Sequence, residues 1–299
     1  MSIIVSKLSK LYGEQKAVDS ISFEVKQGDV LGFLGPNGAG KSTTMKIIAG
    51  YIPQSSGKAS VCGFDVNKQS FEARKMVGYL PENNPLYLDL YVKEFLGFIA
   101  GIHKLKNKTA RIKEMIDMTG LTTEQHKKIG ALSKGYRQRV GLAQAIIHDP
   151  KVLIMDEPTT GLDPNQLAEI RELIKNLGKE KTVILSTHIM QEVLAVCNRV
   201  VIINNGKIVA DDVPEKLIQN TSGEKILFVQ FKEKVEEQKL KLISSVKKVI
   251  AERSNSFRIS GTEKLQEEIF HFAVENKLTI LSMNEEKQSL EEAFRILTN

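Results

Sequence analysis

Residues 35 to 43 read GPNGAGKST, three glycines within six positions followed by a lysine and two hydroxyls. A chain gives up this much backbone order where its amides must close tightly around something. The spacing fits G-x-x-x-x-G-K-[ST], in which inward-pointing amides at a helix N-terminus cradle phosphate oxygens. Gly35, Pro36, Asn37, Gly38, Ala39, Gly40, Lys41, Ser42 and Thr43 are therefore expected to bind a phosphate-bearing nucleotide. In that arrangement Lys41 reaches the β- and γ-phosphates, and Ser42 ligates Mg²⁺ through its hydroxyl.

A second group of residues has matching chemistry. In VLIMDE, four apolar residues end in Asp156 and Glu157. Such a strand carries its carboxylates to the C-terminal edge of an open α/β sheet, where ligands bind. Beside a phosphate loop, Asp156 is expected to hold Mg²⁺ directly or through water. Glu157 is expected to polarise the water that attacks the γ-phosphate. In LSKGYRQRV, Ser133 and Gly135 precede a helix expected to begin near Tyr136, a further anion-binding N-terminus.

These residues need a scaffold, and the flanking patterns describe one. GDVLGFLG runs as an apolar strand into the glycine loop, and helical TTMKIIAG leaves it. KVLIMDEP (151 to 158) and KTVILSTH (181 to 188) read as further buried strands, and NRVVIINNGKIV (198 to 209) as a hairpin. Near-continuous apolar strands suit a parallel sheet covered on both faces. The opening IIVSKLSKLYGEQKAVDSISFEVKQGD has short strands broken by turn residues, an antiparallel flank. Helical spacing dominates from about 84 to 150, a helical insert in the α/β core. Beyond a polar seam, QNTSGEK (219 to 225), the pattern predicts strand 225–232, helix 233–243, strands 246–251 and 256–260, helix 263–276 and strand 278–284. That β-α-β-β-α-β order is ferredoxin-like. A last helix is expected in SLEEAFRIL. The expected architecture is thus an α/β nucleotide-binding domain over 1–220 and a small α+β domain over 221–299.

Composition agrees. The chain has 299 residues, 41% of them apolar and 26% charged, enough for two cored domains. The net charge of +6 favours an acidic contact such as nucleic acid or an anionic membrane face, or simply keeps the surface soluble. Two distant cysteines, Cys62 and Cys197, imply neither a disulfide framework nor a metal cluster. They read as small buried hydrophobes in a reducing compartment. No signal-peptide pattern opens the chain and no apolar run is long enough to span a bilayer; EFLGFIAGIHKL comes nearest, but is short and ends in basic residues.

Taken in order along about residues 1 to 215, these motifs resemble the ATP-binding subunits of ABC transporters, which are P-loop ATPases. LSKGYRQRV resembles the family signature, TTGLD (159 to 163) the D-loop, and STH places His188 at the switch histidine. Tyr12 in KLYG falls where an aromatic stacks on adenine. The resemblance implies that ATP and Mg²⁺ are the ligands and that the subunits dimerise head to tail, as a homodimer or with a related ATPase subunit. Ser133 and Gly135 of one copy would then meet the triphosphate held by the other, with Asp163 at the same interface. It implies a catalytic role for Glu157 and His188, a separate transmembrane permease, and a cytoplasmic subunit on the inner face of the membrane. Two departures stand out. Glu82, in GYLPENNP, replaces the usual glutamine near the metal, and Lys134 and Tyr136 replace a glycine and a glutamine of the signature.

SKGYRQRV, YLPENNPLY and the C-terminal domain look like the branch serving drug, polysaccharide or lipid export. YLPENNPLYLDLYVKEFLGFIAGIHKL is similar to the ATP-binding subunit of a gliding-motility transporter of Bacteroidetes-type bacteria. The alternative is a soluble ABC-type ATPase acting on nucleic acid or ribosomes. The short stretch between Lys41 and Ser133 leaves no room for the long coiled coil of the repair branch, and the chain has one cassette where the translation factors carry two. Direct nucleic-acid binding is not expected.

Overall fold

The structure is a computed structural model describing residues 1–221, 225–253, 255–286 and 289–298. The chain divides into two compact units, residues 1–214 and 215–297.

The first unit is built on two sheets. β1 (Ile3–Tyr12) and β2 (Gln15–Val25) pair antiparallel. In β2, Val18, Ile21, Phe23 and Val25 are buried between wetter neighbours, the pattern of a sheet with one solvated face. β3 (Val30–Leu34) ends at the glycine loop, and α1 (Lys41–Ile48) leaves it. β4 (Ser56–Val61) and β5 (Phe64–Asp65) complete a four-stranded antiparallel sheet in the order β2-β1-β4-β5.

A short helix, α2 (Ser70–Lys75), leads into β6 (Val77–Leu80). The insert follows as α3 (Val92–Ile102), α4 (Lys108–Met118) and α5 (Lys134–Ile146). Then come β7 (Val152–Asp156), α6 (Pro164–Gly178), β8 (Thr182–Ser186), α7 (Met190–Val196) and the hairpin β9 (Arg199–Asn204) and β10 (Lys207–Asp212). Six of these strands form the second sheet, ordered β10-β9-β3-β8-β7-β6, in which only β10 runs antiparallel. Every residue of β3, β7 and β8 is buried, which explains their unbroken apolar text. Buried side chains of both sheets and of α1, among them Phe23, Phe33, Met45, Ile154 and Ile203, share one core.

Two helix starts differ from expectation or lie outside it. α5 begins at Lys134, because the Ser133 hydroxyl accepts from the Tyr136 amide at 3.4 Å and so closes the first turn earlier. α6 begins after Asp163, whose carboxylate accepts from the amides of Asn165 and Gln166 at 3.0 and 2.9 Å, with Pro164 in the first turn.

The second unit opens with α8 (Pro214–Thr221). Its strands β11 (Lys225–Phe231), β12 (Val246–Arg253), β13 (Ser256–Gly261) and β14 (Ile280–Glu286) form an antiparallel sheet ordered β12-β13-β11-β14. α9 (Glu237–Leu240) and α10 (Leu265–Glu275) supply the two crossovers, and α11 (Leu290–Thr298) ends the chain. This is the β-α-β-β-α-β order, with Leu227, Val229, Phe231, Phe257, Ile259 and Ile269 in its core. Part of the expected polar seam at 219–225 lies outside the described residues.

The expected helix 233–243 shrinks to α9. Val235 and Leu240 are both buried, yet five residues apart they would sit about 140° apart on a helix. The chain instead bends at Lys232 and Glu233, whose carboxylate accepts from the Thr279 amide and hydroxyl at 2.7 and 3.0 Å, and turns helical only at Glu237.

The insert is clasped to the core sheet by two histidines. His103, at the end of α3, stacks face to face on His148, after α5, with ring centroids 4.1 Å apart. His148 Nε2–H donates to the Val77 carbonyl at 3.1 Å. Burial, aided by His103 and Arg111 and opposed by Asp149, lowers the His148 pKa to about 4. The unfolded chain takes up that proton near 6.5, so between these values it binds more protons than the folded one. Stability should therefore fall as pH drops from about 6.5 toward 4, and His148→Gln should flatten that part of the profile. Urea midpoints of wild type and variant measured across this range provide the check.

Candidate functional site

The site lies at the C-terminal edge of the parallel sheet, where β3, β7 and β8 end side by side. Parallel pairing sets Asp156 opposite Ser186 and Phe33 opposite Ser186 across the three strands. The loops that leave these strands then face one cleft of about 420 Å³. It is lined by Asn37, Gly38, Gly40, Lys41, Ser42, Thr43, Glu82, Glu157 and His188, together with Ala17 and Thr160.

The loop's glycines have distinct reasons. Gly40 sits at φ 110°, a region closed to other residues, and a side chain there would strike the Ala17 carbonyl. A side chain on Gly35 would strike the carbonyl of Ile203 on β9. The loop can therefore be drawn in against the sheet only where Cβ atoms are missing. Lys41 is buried and donates to the carbonyls of Gly35 and Pro36 at 2.6 and 3.2 Å, curling its ammonium back over the loop. Burial holds its pKa below the usual value, while the carboxylates of Glu157, Asp156 and Glu82 pull it back up.

A chain of hydrogen bonds ties the acidic residues together. The Ser42 hydroxyl donates to Asp156 Oδ1 at 3.1 Å, and the Ser186 hydroxyl donates to the same oxygen at 2.6 Å. The Ser186 oxygen in turn accepts from the Glu157 amide at 2.9 Å. Glu157 has φ 52°, a left-handed backbone that costs a residue with a side chain of order 1–3 kcal/mol. That turn swings its carboxylate off the strand line and toward the cleft. There Oε2 accepts from the Thr160 hydroxyl at 3.2 Å and from His188 Nδ1 at 2.9 Å. Because an ionised carboxylate only accepts, Nδ1 carries the proton and Nε2 is left for another partner.

The donor set suits a hard cation. A hydroxyl and a carboxylate meet at Ser42 and Asp156, with Glu82 facing the same cleft. Among the described residues there is no cluster of three or more His, Cys, Asp or Glu side chains that could cage a metal. Oxygen ligands too few to enclose the ion match Mg²⁺, which keeps waters and completes its shell with substrate phosphates.

Beyond the loop and the acidic pair, four expected residues do not line this cleft. Tyr12, at the end of β1, is half exposed, with the Lys10 ammonium 5.2 Å from its ring centre. Ser133 is occupied as the cap of α5, and Asp163 as the cap of α6. Gly135 is buried against the side chain of Gln166 in the first turn of α6. The Lys134 side chain lies against Gly161, so the signature segment and the D-loop of one chain pack on each other. Two residues not singled out from sequence join the site: Ser186, which bridges Asp156 to the Glu157 amide, and Thr160, which holds the Glu157 carboxylate. Both lie inside the quoted STH and TTGLD stretches, but hydroxyls are too common for spacing alone to mark them.

A glycine-rich loop on β3, a buried lysine, and a carboxylate pair closing β7 define a P-loop ATPase. The comparisons narrow this. A family model described as ABC transporter matches residues 18–160. The linearmycin resistance ATP-binding protein LnrL of Bacillus subtilis is 34% identical over 300 residues, covering 97% of this chain and 96% of that relative. The bacitracin transport ATP-binding protein BcrA of Bacillus licheniformis is 41% identical over 218 residues, covering 71% and 70%. A dimeric structure of a bacterial ABC transporter cassette superposes with a TM-score of 0.65 at 25% identity, covering 71% of this chain and 98% of that one. The chain belongs to the ATP-binding subunits of ABC transporters, and its activity is ATP hydrolysis that powers transport.

Ser186→Ala should leave the Glu157 amide without its acceptor, destabilising the fold by about 1–3 kcal/mol. Loss of the alignment between Asp156 and Glu157 should lower kcat by about tenfold or more with little change in KM for ATP. Denaturant unfolding and steady-state kinetics test both; unchanged values would show that the bridge carries no catalytic alignment.

Proposed function

We propose that two copies of this chain, or one copy and a related subunit, close head to tail around two ATP molecules. The observation that carries this reading is the convergence of Lys41, Ser42, Asp156, Glu157 and His188 on one cleft, while Ser133 and Gly135 lie outside it. A second anion-binding helix start that does not serve its own cleft is available to a partner's. The dimeric cassette that this chain resembles supports the arrangement.

Loop amides and Lys41 bind the triphosphate, and Tyr12 stacks on the adenine. Mg²⁺, when bound through Ser42 and Asp156 with Glu82 reaching it through water, would neutralise charge on the β- and γ-oxygens. Glu157 takes the proton of the attacking water. His188, protonated at Nδ1 by its bond to Glu157, directs Nε2 at the γ-phosphate and reports its presence. Asp163 completes the contact between subunits. ATP contributes its full set of contacts only in the closed dimer, so binding closes it and hydrolysis reopens it.

Among the described residues no helix is long and apolar enough to cross a membrane. We assign the membrane path to a separate permease, and the stretch from Glu82 through α3 to the relay between ATP and that partner. The working location is then the cytoplasmic face of the inner membrane. Relatives named for bacitracin transport and linearmycin resistance support an exporter; service to gliding motility rests on the resemblance of residues 79–105 alone. We assign the second unit to regulation or dimer support. A chain ending at residue 221 should dimerise less firmly or hydrolyse ATP at an altered rate; unchanged dimerisation, rate and transport would refute the assignment.

Glu157→Gln should slow hydrolysis by about a hundredfold or more and accumulate an ATP-bound dimer visible by size-exclusion chromatography. Turnover at the wild-type rate would remove Glu157 from the role of base.

A further inference from the structure

The first turn of α7 contains a buried acid that the chemistry above does not use. Glu192 is 2% exposed. The groups of possible positive charge nearest to it in the chain are engaged elsewhere: His188 with Glu157, and Arg199 with Asp211. One carboxylate oxygen, Oε2, accepts from the Thr187 hydroxyl at 2.7 Å. The other, Oε1, is buried with no hydrogen-bond partner among the described residues. Burying a carboxylate with an acceptor left idle costs free energy, and an apolar side chain of similar volume would fill the space at less cost.

What the carboxylate holds is the loop of His188. Thr187, 0% exposed, precedes that histidine and Ile189 follows it. The Thr187 hydroxyl oxygen accepts from the Ile189 amide at 3.1 Å, and the Glu192 amide donates to the Ile189 carbonyl at 3.1 Å. Ile189 stands at the N-cap of α7, where its apolar side chain has no oxygen to cap with. The Thr187 hydroxyl takes that part, and Glu192 fixes its rotor so that a lone pair meets the amide. Both neighbours of His188 are thus tied to one buried carboxylate. The His188 side chain is itself 59% exposed, so packing does little to orient it. Its bond from Nδ1 to Glu157, at 2.9 Å, depends on a backbone held still.

We propose that Glu192 is a positioning residue: through the Thr187 hydroxyl it locks the backbone on either side of His188, so that the imidazole offers Nδ1–H to Glu157 and Nε2 to the cleft. This deepens the reading of His188 given above and rests on it. The property required at position 192 is an acceptor oxygen, which a neutral amide also supplies.

Two readouts on the full-length protein test this. The first is the His188 tautomer without nucleotide, from long-range proton–nitrogen correlation on histidine-labelled protein. The chain has five histidines, and the His188→Ala spectrum identifies the signal. Wild type should show Nδ1–H. Thr187→Val and Glu192→Met should move His188 toward the Nε2–H form that a free imidazole prefers. The second readout is steady-state ATPase kinetics. Both variants should lower kcat by about tenfold, with KM for ATP changed by less than about twofold. Thr187→Val is isosteric and serves alone if Glu192→Met does not fold. Glu192→Gln should keep the Nδ1–H tautomer and most of kcat. In a His188→Ala background, Glu192→Met should cost no further rate. Ile174→Ala, a core truncation in α6, should lower the urea midpoint and leave tautomer and kcat in place.

An unchanged His188 tautomer in Thr187→Val and Glu192→Met would overturn the proposal. So would equal losses in Glu192→Gln or in the α6 control, or a further loss of rate in the His188→Ala background. The reading of His188 fails separately: if His188→Ala alone turns over at the wild-type rate while the tautomer still shifts, the brace stands and the catalytic role falls.

Discussion

Three neighbouring parallel strands, β3, β8 and β7, end at the same edge of one sheet, and every functional contact depends on that alignment. The phosphate loop, the acidic pair and His188 lie far apart in the chain. Hydrogen-bonded register alone brings Asp156 opposite Ser186 and Ser186 beside the end of β3. Burial of all residues in these strands makes the register strict, because a one-residue slip would turn side chains out of their packing on both faces. The loops inherit this rigidity, and with it the short bonds between Ser42, Asp156, Ser186, Glu157 and His188.

The cleft is electrostatically unbalanced in a useful way. Asp156, Glu157 and Glu82 all act on Lys41, one cation held below its usual pKa by burial. Such a cluster resists a bare polyanion and favours one that arrives with a divalent cation. Glu82 sharpens this: where a neutral amide is usual in the family, the chain adds a third carboxylate. The left-handed backbone of Glu157 stores strain next to these charges, and the Ser186 hydroxyl and the Thr160 side chain hold it in place.

Away from the cleft, the insert and the second unit carry properties that the ATPase chemistry does not require. The stacked His103–His148 pair and the Arg111 bonds to Ile146 and Ile147 fasten α3 and α4 to the end of α5. The second unit has its own core and its own antiparallel sheet, and folds around Leu227, Val229 and Phe231. Its α9 shows why helical text can mislead: two buried residues five apart cannot share a helix face, so packing overrode local propensity.

Most of the chemistry was legible in the residues themselves. GPNGAGKST states a phosphate loop because amides can only converge that closely where glycines remove Cβ atoms, and VLIMDE states a buried strand delivering carboxylates. The strand–helix alternation and the β-α-β-β-α-β tail were equally plain, since burial imposes periodicities that composition reveals. The order β10-β9-β3-β8-β7-β6 was not written locally, because which strand lies beside which is settled by long-range hydrogen bonds and packing. The same holds for Ser186 as the bridge, for Thr160 as the clamp, and for Ser133 as a cap outside its own cleft. A hydroxyl acquires a function only from what the fold places within 3 Å of it.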